Sequence, residues 1–496
     1  MSKTIMKENI EKAQVEIEAK ESAVKNGRMR QDFHFMPQTG WLNDPNGLVY
    51  YKGQYHYFYQ FYPYAGFWGS VHWGHAVSSD MLRWKHLPPA LAPSEAYDDH
   101  YLGGCFSGSA IEYNEKLYLM YTGVTNNGDG LEQCQCIAWS EDGINFEKYE
   151  GNPVIAAPEG VPKDFFRDPK VWCHRDTFYM VCGTKKEDKG QALLYKSKDM
   201  IHWEYFNVLA ESRGEWGYMW ECPDFYPLGD KYVLMFSPMG AQERKCVYLV
   251  GDFDYRTGKF FYNISGEIDW GLDYYAPQSF LAPDGRRIIT GWANGWEWMP
   301  HWKDWGPMYR EGWSGFFALP REVILLEDNT LSFKPIHELE QLRSDPGTEN
   351  NLLIGEGKYQ VKNTGCSCEI KMLINLEKTT SRKVKLELRE NNTRKAVVLF
   401  DFQKAEMCFD RTCADGWSTG IARSEINLKN KQYLDIHIFI DRSSIEVFSN
   451  NYQNNMTCNV FSDETQTNNY IVPENGELYI EKLETWNIEN VLKVMK

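Results

Sequence analysis

Three short motifs carry carboxylates in settings that could do chemistry. They are "WLNDPNG" (41–47) with Asp44, "FRDP" (166–169) with Arg167 and Asp168, and "WECPD" (220–224) with Glu221 and Asp224. Cleaving a glycosidic bond with retention needs two carboxyl groups about 5–5.5 Å apart, one to attack the anomeric carbon and one to protonate the leaving oxygen. Asp44 stands among Asn43, Asn46 and Gly47, a polar turn whose donors would keep a nucleophile ionised. Glu221 lies between Trp220 and Cys222-Pro223, where apolar crowding would raise its pKa and suit an acid. Asp168, beside the permanent cation Arg167, should stay charged and could bind hydroxyls or steady positive charge. Taken singly, each motif reads as an ordinary turn or a buried pair. Their meaning depends on whether one fold brings them together.

Two interleaved repeats supply such a fold. "SSDMLRW" (78–84), "SEDGINF" (140–146) and "SKDMIHW" (197–203) share a Ser-x-Asp turn followed by an aromatic entering a strand. Between them run five hairpin-like segments, beginning "DPNGLVYYKGQYHYFYQ", "SGSAIEYNEKLYLMYTG", "RDPKVWCHRDTFYMVCG", "CPDFYPLGDKYVLMFSP" and "APQSFLAPDGRRIITGW". Spacings of this kind belong to β-propellers, whose innermost strands converge on one opening. The expectation is an all-β chain: a five-bladed β-propeller over 31–335, with Asp44, Ser107, Asp168, Asp224 and Gln278 gathered on one face. A helical segment over 1–30 should precede it, its Ile, Val and Ala positions lying on the fold. After "LPREV" a short helical linker, 336–349, should lead to alternating strands over 350–496, a C-terminal β-sandwich.

The chain has 496 residues, 15% of them aromatic, and a formal charge of −16, which argues against nucleic acid as a partner. No apolar stretch is long enough to span a bilayer, and the N-terminus lacks the apolar core of a secretory signal. The expected location is therefore the cytoplasm, with the twelve cysteines as reduced thiols. The pairs Cys134/Cys136 and Cys366/Cys368 lack zinc-ribbon spacing, and no third ligand accompanies His72 and His75 in "HWGH". No metal and no cofactor are expected, and one or both histidines should be hydrogen-bonded loop residues.

With "FHFMPQTGWLNDPNG", "FYQFYP", "WGSVHWGHAVSSDMLRW", "CFSGSA", "FRDPKVW", "WECPDFY", "YYAPQSF", "GWANGW", "EGWSGFFALPREV" and "IFIDRSSIEVFSN" in this order, the chain resembles glycoside hydrolase family 32, the β-fructofuranosidases. The resemblance implies a five-bladed propeller followed by a β-sandwich. It makes Asp44 the nucleophile, Glu221 the general acid/base and Asp168 a transition-state stabiliser. It also implies that Asn43, Gln60, Trp68, Phe106, Ser107, Arg167 and Trp296 line a fructose pocket. "GWANGWEWMPHWKDWGPMYREGW" departs from the family pattern in length and tryptophan content, and should border the leaving group. The substrate expected is a small fructoside: sucrose, sucrose 6-phosphate or a short fructo-oligosaccharide. An inverting arabinan- or xylan-type propeller hydrolase and a noncatalytic sugar-binding propeller are the rivals. The oligomeric state, a homo-oligomer included, is open.

Overall fold

The computed structural model describes residues 2–126, 128, 130–241, 245–296, 306–363 and 365–494. Short polar turns fold each apolar run back on its predecessor, so successive strands pair antiparallel and close into separate small sheets. Five such sheets follow one another as blades, led by Gly40–Pro45, Gly104–Tyr113, Phe166–His174, Met219–Leu228 and Tyr275–Leu281. The blades pack through continuous apolar layers. Between blades 3 and 4, for example, Trp172 packs against Phe225 with ring centroids 5.3 Å apart. This is the expected propeller.

The Ser-x-Asp repeats have one physical cause. In each, the serine hydroxyl donates to the aspartate (Ser78–Asp80 2.9 Å, Ser140–Asp142 2.8 Å, Ser197–Asp199 3.0 Å). The same aspartate then accepts backbone N–H groups two and three residues on: Leu82 and Arg83, Ile144 and Asn145, Ile201 and His202. The turn delivers Trp84, Phe146 or Trp203 to the start of the next run, each packed against a core.

The ring closes between blades 5 and 1. Residues 293–320 intervene between the second and third strands of blade 5, and within them Trp313–Ser314 pairs parallel with Gly40–Pro45. Trp313 is fully buried in that seam, so this tryptophan of the 296–313 stretch belongs to the core and not to the rim.

The helix expected at the N-terminus spans Ser2–Val24. Met6, Ala13, Ile17 and Val24 are buried beneath it, and Asn9 ties it down by donating to the Pro93 carbonyl at 2.8 Å. No helix among the described residues is long and apolar enough to cross a membrane. The expected linker contains a 3-10 turn, His337–Leu342, and then Arg343–Ile354, which is already an edge strand of the second unit. Two six-stranded sheets enclose a core of their own, which is the expected sandwich.

The seam between the two units is both apolar and ionic. Phe439, Phe448 and Ile488 of the sandwich join the propeller's largest core. A buried ionic row runs beside them. His34 bridges Asp441 (2.7 Å) and Glu446 (2.9 Å), Arg321 reaches Glu446 (2.8 Å) and Asp269 (2.9 Å), and Arg411 reaches Asp273 (2.6 Å).

Candidate active site

In every blade the innermost strand carries a β-bulge at the same height, where the pairing register slips. The slips fall between Leu42 and Pro45, Phe106 and Gly108, Arg167 and Lys170, Glu221 and Asp224, and Tyr275 and Gln278. A bulge re-aims side chains and bends the strand. Here it tips several of them into the opening. Asp168, Cys222 and Ala276 hold left-handed backbone conformations (φ 64°, 49° and 50°), uncommon for residues with a Cβ and imposed by the bulge.

The result is one cavity of about 530 Å³ at the mouth of the ring. Asp44, Asp168, Glu221, Asn43, Gln60, Trp68, Phe106, Ser107, Arg167 and Trp296 all line it. Asp224 and Gln278, expected on the same face, do not. They lie one step below the bulge, where Lys170 Nζ approaches Asp224 Oδ2 (3.2 Å) and Gln278 Oε1 (3.2 Å) in a buried floor. Strand alternation places them on the right side of each blade, but the extra residues of the bulge put Glu221 and Tyr275 at the cavity instead.

Asp44 lies inside the strand Gly40–Pro45 and not in the turn that follows. Ser107 Oγ donates to its Oδ2 at 2.9 Å, while Oδ1 is shielded from solvent with no hydrogen-bond partner among the described residues. Burial, then the nearby charges of Glu221 and Asp168, push its pKa up to about 7 against the pull of Asn43 and Ser107. The donor-rich turn expected to keep it ionised is thus outweighed by loss of water and by like charge. Asp168 is likewise raised to about 6 by burial, although Arg167 and the Cys222 N–H (2.8 Å to Oδ2) favour its charged form. The Cys222 thiol sits 3.6 Å from both Asp44 Oδ2 and Asp168 Oδ2.

Glu221 is not crowded by apolar side chains. Its neighbour Trp220 points to the opposite face of the strand, as period-two alternation requires. Glu221 is instead held on both oxygens: Arg167 Nε (3.0 Å) and Nη2 (2.9 Å) donate to Oε1, and Tyr275 Oη donates to Oε2 at 2.5 Å. Burial works against the charge of Arg167, but Glu221 and Asp168 more than restore it and raise its pKa.

Tyr275, Tyr218, Met239 and Lys245 also line the cavity and were not singled out from the sequence. Tyr275 had a signal available: "RDPK", "ECPD" and "YAPQ" align on their prolines, which puts Arg167, Glu221 and Tyr275 in register. Trp298, Trp302 and Trp305, part of the tryptophan-rich stretch expected to border the leaving group, lie outside the described residues. His72 and His75 are strand residues and not loop residues. His72 pairs with the Ser70 carbonyl (3.1 Å), His75 with His56 (3.0 Å), and burial holds the pKa of both down. All twelve cysteines are free thiols.

Comparison with known proteins agrees with this architecture. The family described as glycosyl hydrolases family 32 N-terminal domain matches residues 34–335, and glycosyl hydrolases family 32 C terminal matches 338–487. A sucrose-6-phosphate hydrolase of Zymomonas mobilis is 35% identical over 487 residues, covering 92% of each chain. A raffinose invertase of Escherichia coli is 36% identical over 472 residues, covering 92% of this chain and 94% of the other. Among solved structures, a β-fructofuranosidase of Bombyx mori superposes with a TM-score of 0.81 at 32% identity, over 97% of this chain and 98% of that one. A mutant of the same enzyme has been solved in complex with sucrose. With matches over both units and along nearly its whole length, the chain belongs to glycosyl hydrolases family 32, the family of sucrose-6-phosphate hydrolases and β-fructofuranosidases.

Proposed function

We propose that the protein is a retaining β-fructofuranosidase. It removes the terminal nonreducing fructosyl unit of sucrose, sucrose 6-phosphate or a short fructo-oligosaccharide through a covalent fructosyl-enzyme. The observation that carries this reading is the meeting of Asp44, Asp168 and Glu221 on the innermost strands of three blades, in one cavity large enough for a small saccharide. Asp44 attacks C2 of the fructosyl unit. Ser107 donates to its Oδ2 and so holds the carboxyl group in one orientation at the cavity. Glu221 gives its proton to the departing oxygen as the C2–O bond breaks, then takes one from the water that releases fructose. Asp168, held by the Cys222 N–H, steadies the positive charge that builds on the ring.

Asn43, Gln60, Trp68, Phe106, Ser107 and Trp296 bind the fructosyl hydroxyls and ring face in this scheme. The catalytic unit is the propeller, residues 31–335. The N-terminal helix and the sandwich, whose first strand is Arg343–Ile354, brace it. The small-molecule substrate and the named relatives fit a cytoplasmic enzyme that acts on imported sugars.

Trapping tests the reading. Glu221→Gln with an activated aryl fructoside should accumulate an Asp44-linked fructosyl adduct visible by intact mass, and β-fructose should be the first product of the wild type. Release of the α anomer would show inversion and sink the covalent route.

A further inference from the structure

Arg167, Glu221 and Tyr275 occupy the same position, immediately before the bulge, in blades 3, 4 and 5. The ring geometry therefore sets the three side chains side by side, with the carboxyl group in the middle. A carboxylate oxygen has two lone-pair directions. Oε1 accepts from Arg167 through Nε at 3.0 Å and Nη2 at 2.9 Å, two N–H groups on one edge of the guanidinium. On Oε2 one is taken, by Tyr275 Oη at 2.5 Å, and the other has no partner among the described residues. Glu221 is only part-buried, its side chain 19% exposed, so that remaining direction faces the cavity.

We propose that Tyr275 is a positioning residue for the acid step: it fixes Glu221 so that the catalytic proton resides on Oε2 and is aimed at the leaving oxygen. The inference rests on the acid role of Glu221 proposed above. Arg167 is the poorer candidate, because it directs two N–H groups of a permanent cation at Oε1, which disfavours a proton on that oxygen. Tyr275 can, since one hydroxyl donor leaves the second lone pair of Oε2 free while removing the carboxyl group's torsional freedom. Burial and the Glu221 charge keep the Tyr275 hydroxyl protonated, so it remains the donor in this pair. In the reaction, the proton passes from Oε2 to the glycosidic oxygen as the C2–O bond breaks and the Asp44 bond forms. The Tyr275 bond then stabilises the carboxylate left behind, which is the base for the second half-reaction.

The test is Tyr275→Phe, which keeps the buried ring and removes only the hydroxyl. General acid catalysis contributes roughly 10²–10⁴-fold, and a misplaced acid forfeits part of it. kcat/KM on sucrose should fall roughly 10- to 100-fold, while an activated aryl fructoside, which needs little protonation, should lose no more than about 3-fold. In a Glu221→Gln background, Tyr275→Phe should change the rate by less than about 2-fold, because its partner is already lost. Equal losses on both substrates, or full additivity with Glu221→Gln, would overturn the inference and leave Tyr275 a packing residue. The acid role itself is read separately: Glu221→Gln alone must spare the aryl substrate relative to sucrose. If it does not, the acid assignment fails and this inference falls with it.

Discussion

Asp44 shows how far the demands of chemistry and of folding diverge at one residue. Its carboxyl group is buried beside two other acids, and its pKa rises from the ordinary 3.8 to about 7. A carboxyl group whose folded value lies above its unfolded one holds its proton more tightly in the native state. Its contribution to stability is full below about 4 and is lost as the pH climbs through about 7. Asp44→Asn removes the charge and should therefore stabilise the protein at pH 8, by on the order of 2 kcal/mol, with the gain fading toward pH 4. The same substitution should lower kcat by at least roughly 10³-fold, as expected for a lost nucleophile. Melting temperatures of both proteins across pH 4–8 check the first part and single-turnover rates the second. A gain of equal size at every pH would assign the effect to packing and not to charge.

At the scale of the strand, the bulge is the device that makes the site, and it is what the sequence hid. The polar starts of the hairpins and the Ser-x-Asp turns are periodic and local, so five blades could be counted from them. A bulge places two residues opposite one, which no period-two reading reveals. For that reason Asp224 and Gln278 were expected on the face that opens to the cavity, while Tyr275 went unseen. Contacts between blades, such as Arg167 with Glu221, join residues 54 apart and leave no local mark. The ten residues that the family resemblance placed at the pocket do line one cavity, because its motifs span the bulges whole. Close approach of two blades also explains one glycine. Gly183 pairs with Arg167 across blade 3, and a Cβ there would lie 1.9 Å from the backbone oxygen of Trp220. Gly183→Ala must therefore push blade 4 outward just beside Glu221. kcat/KM should fall at least about 10-fold, out of proportion to overpacking destabilisation of about 1–3 kcal/mol. Steady-state kinetics beside a melting curve would separate the two, and unchanged kcat/KM would show that the blades yield elsewhere.

Across the whole molecule, the sandwich is fastened to the propeller by charge as well as by apolar area, and His34 is the centre of that seam. Burial alone would drive this imidazole neutral, but hydrogen bonds and charge from Asp441 and Glu446 overcome burial and raise its pKa to about 9. Arg321 balances the same Glu446 from blade 5, so the protonated ring completes a buried row of alternating charge. A histidine with a raised folded pKa contributes stability that is full below its unfolded value, near 6.5, and is lost as pH rises through about 9. Deprotonation would leave Asp441 and Glu446 facing one another across a neutral ring, and a broken buried pair is costly. The wild type should then lose on the order of 2–3 kcal/mol between pH 6.5 and 9.5 through this group alone. His34→Gln, which keeps hydrogen bonding but carries no titrating charge, should be markedly less stable than wild type at pH 6 and nearly equal to it at pH 9.5. Its kcat at pH 6 should stay within about 3-fold, since His34 is no part of the cavity lining and acts on the seam. Denaturant melts of the two proteins at matched pH values decide the matter. A constant difference from pH 6 to 9.5 would mean that His34 stays neutral in the seam and that hydrogen bonding without charge joins the two units.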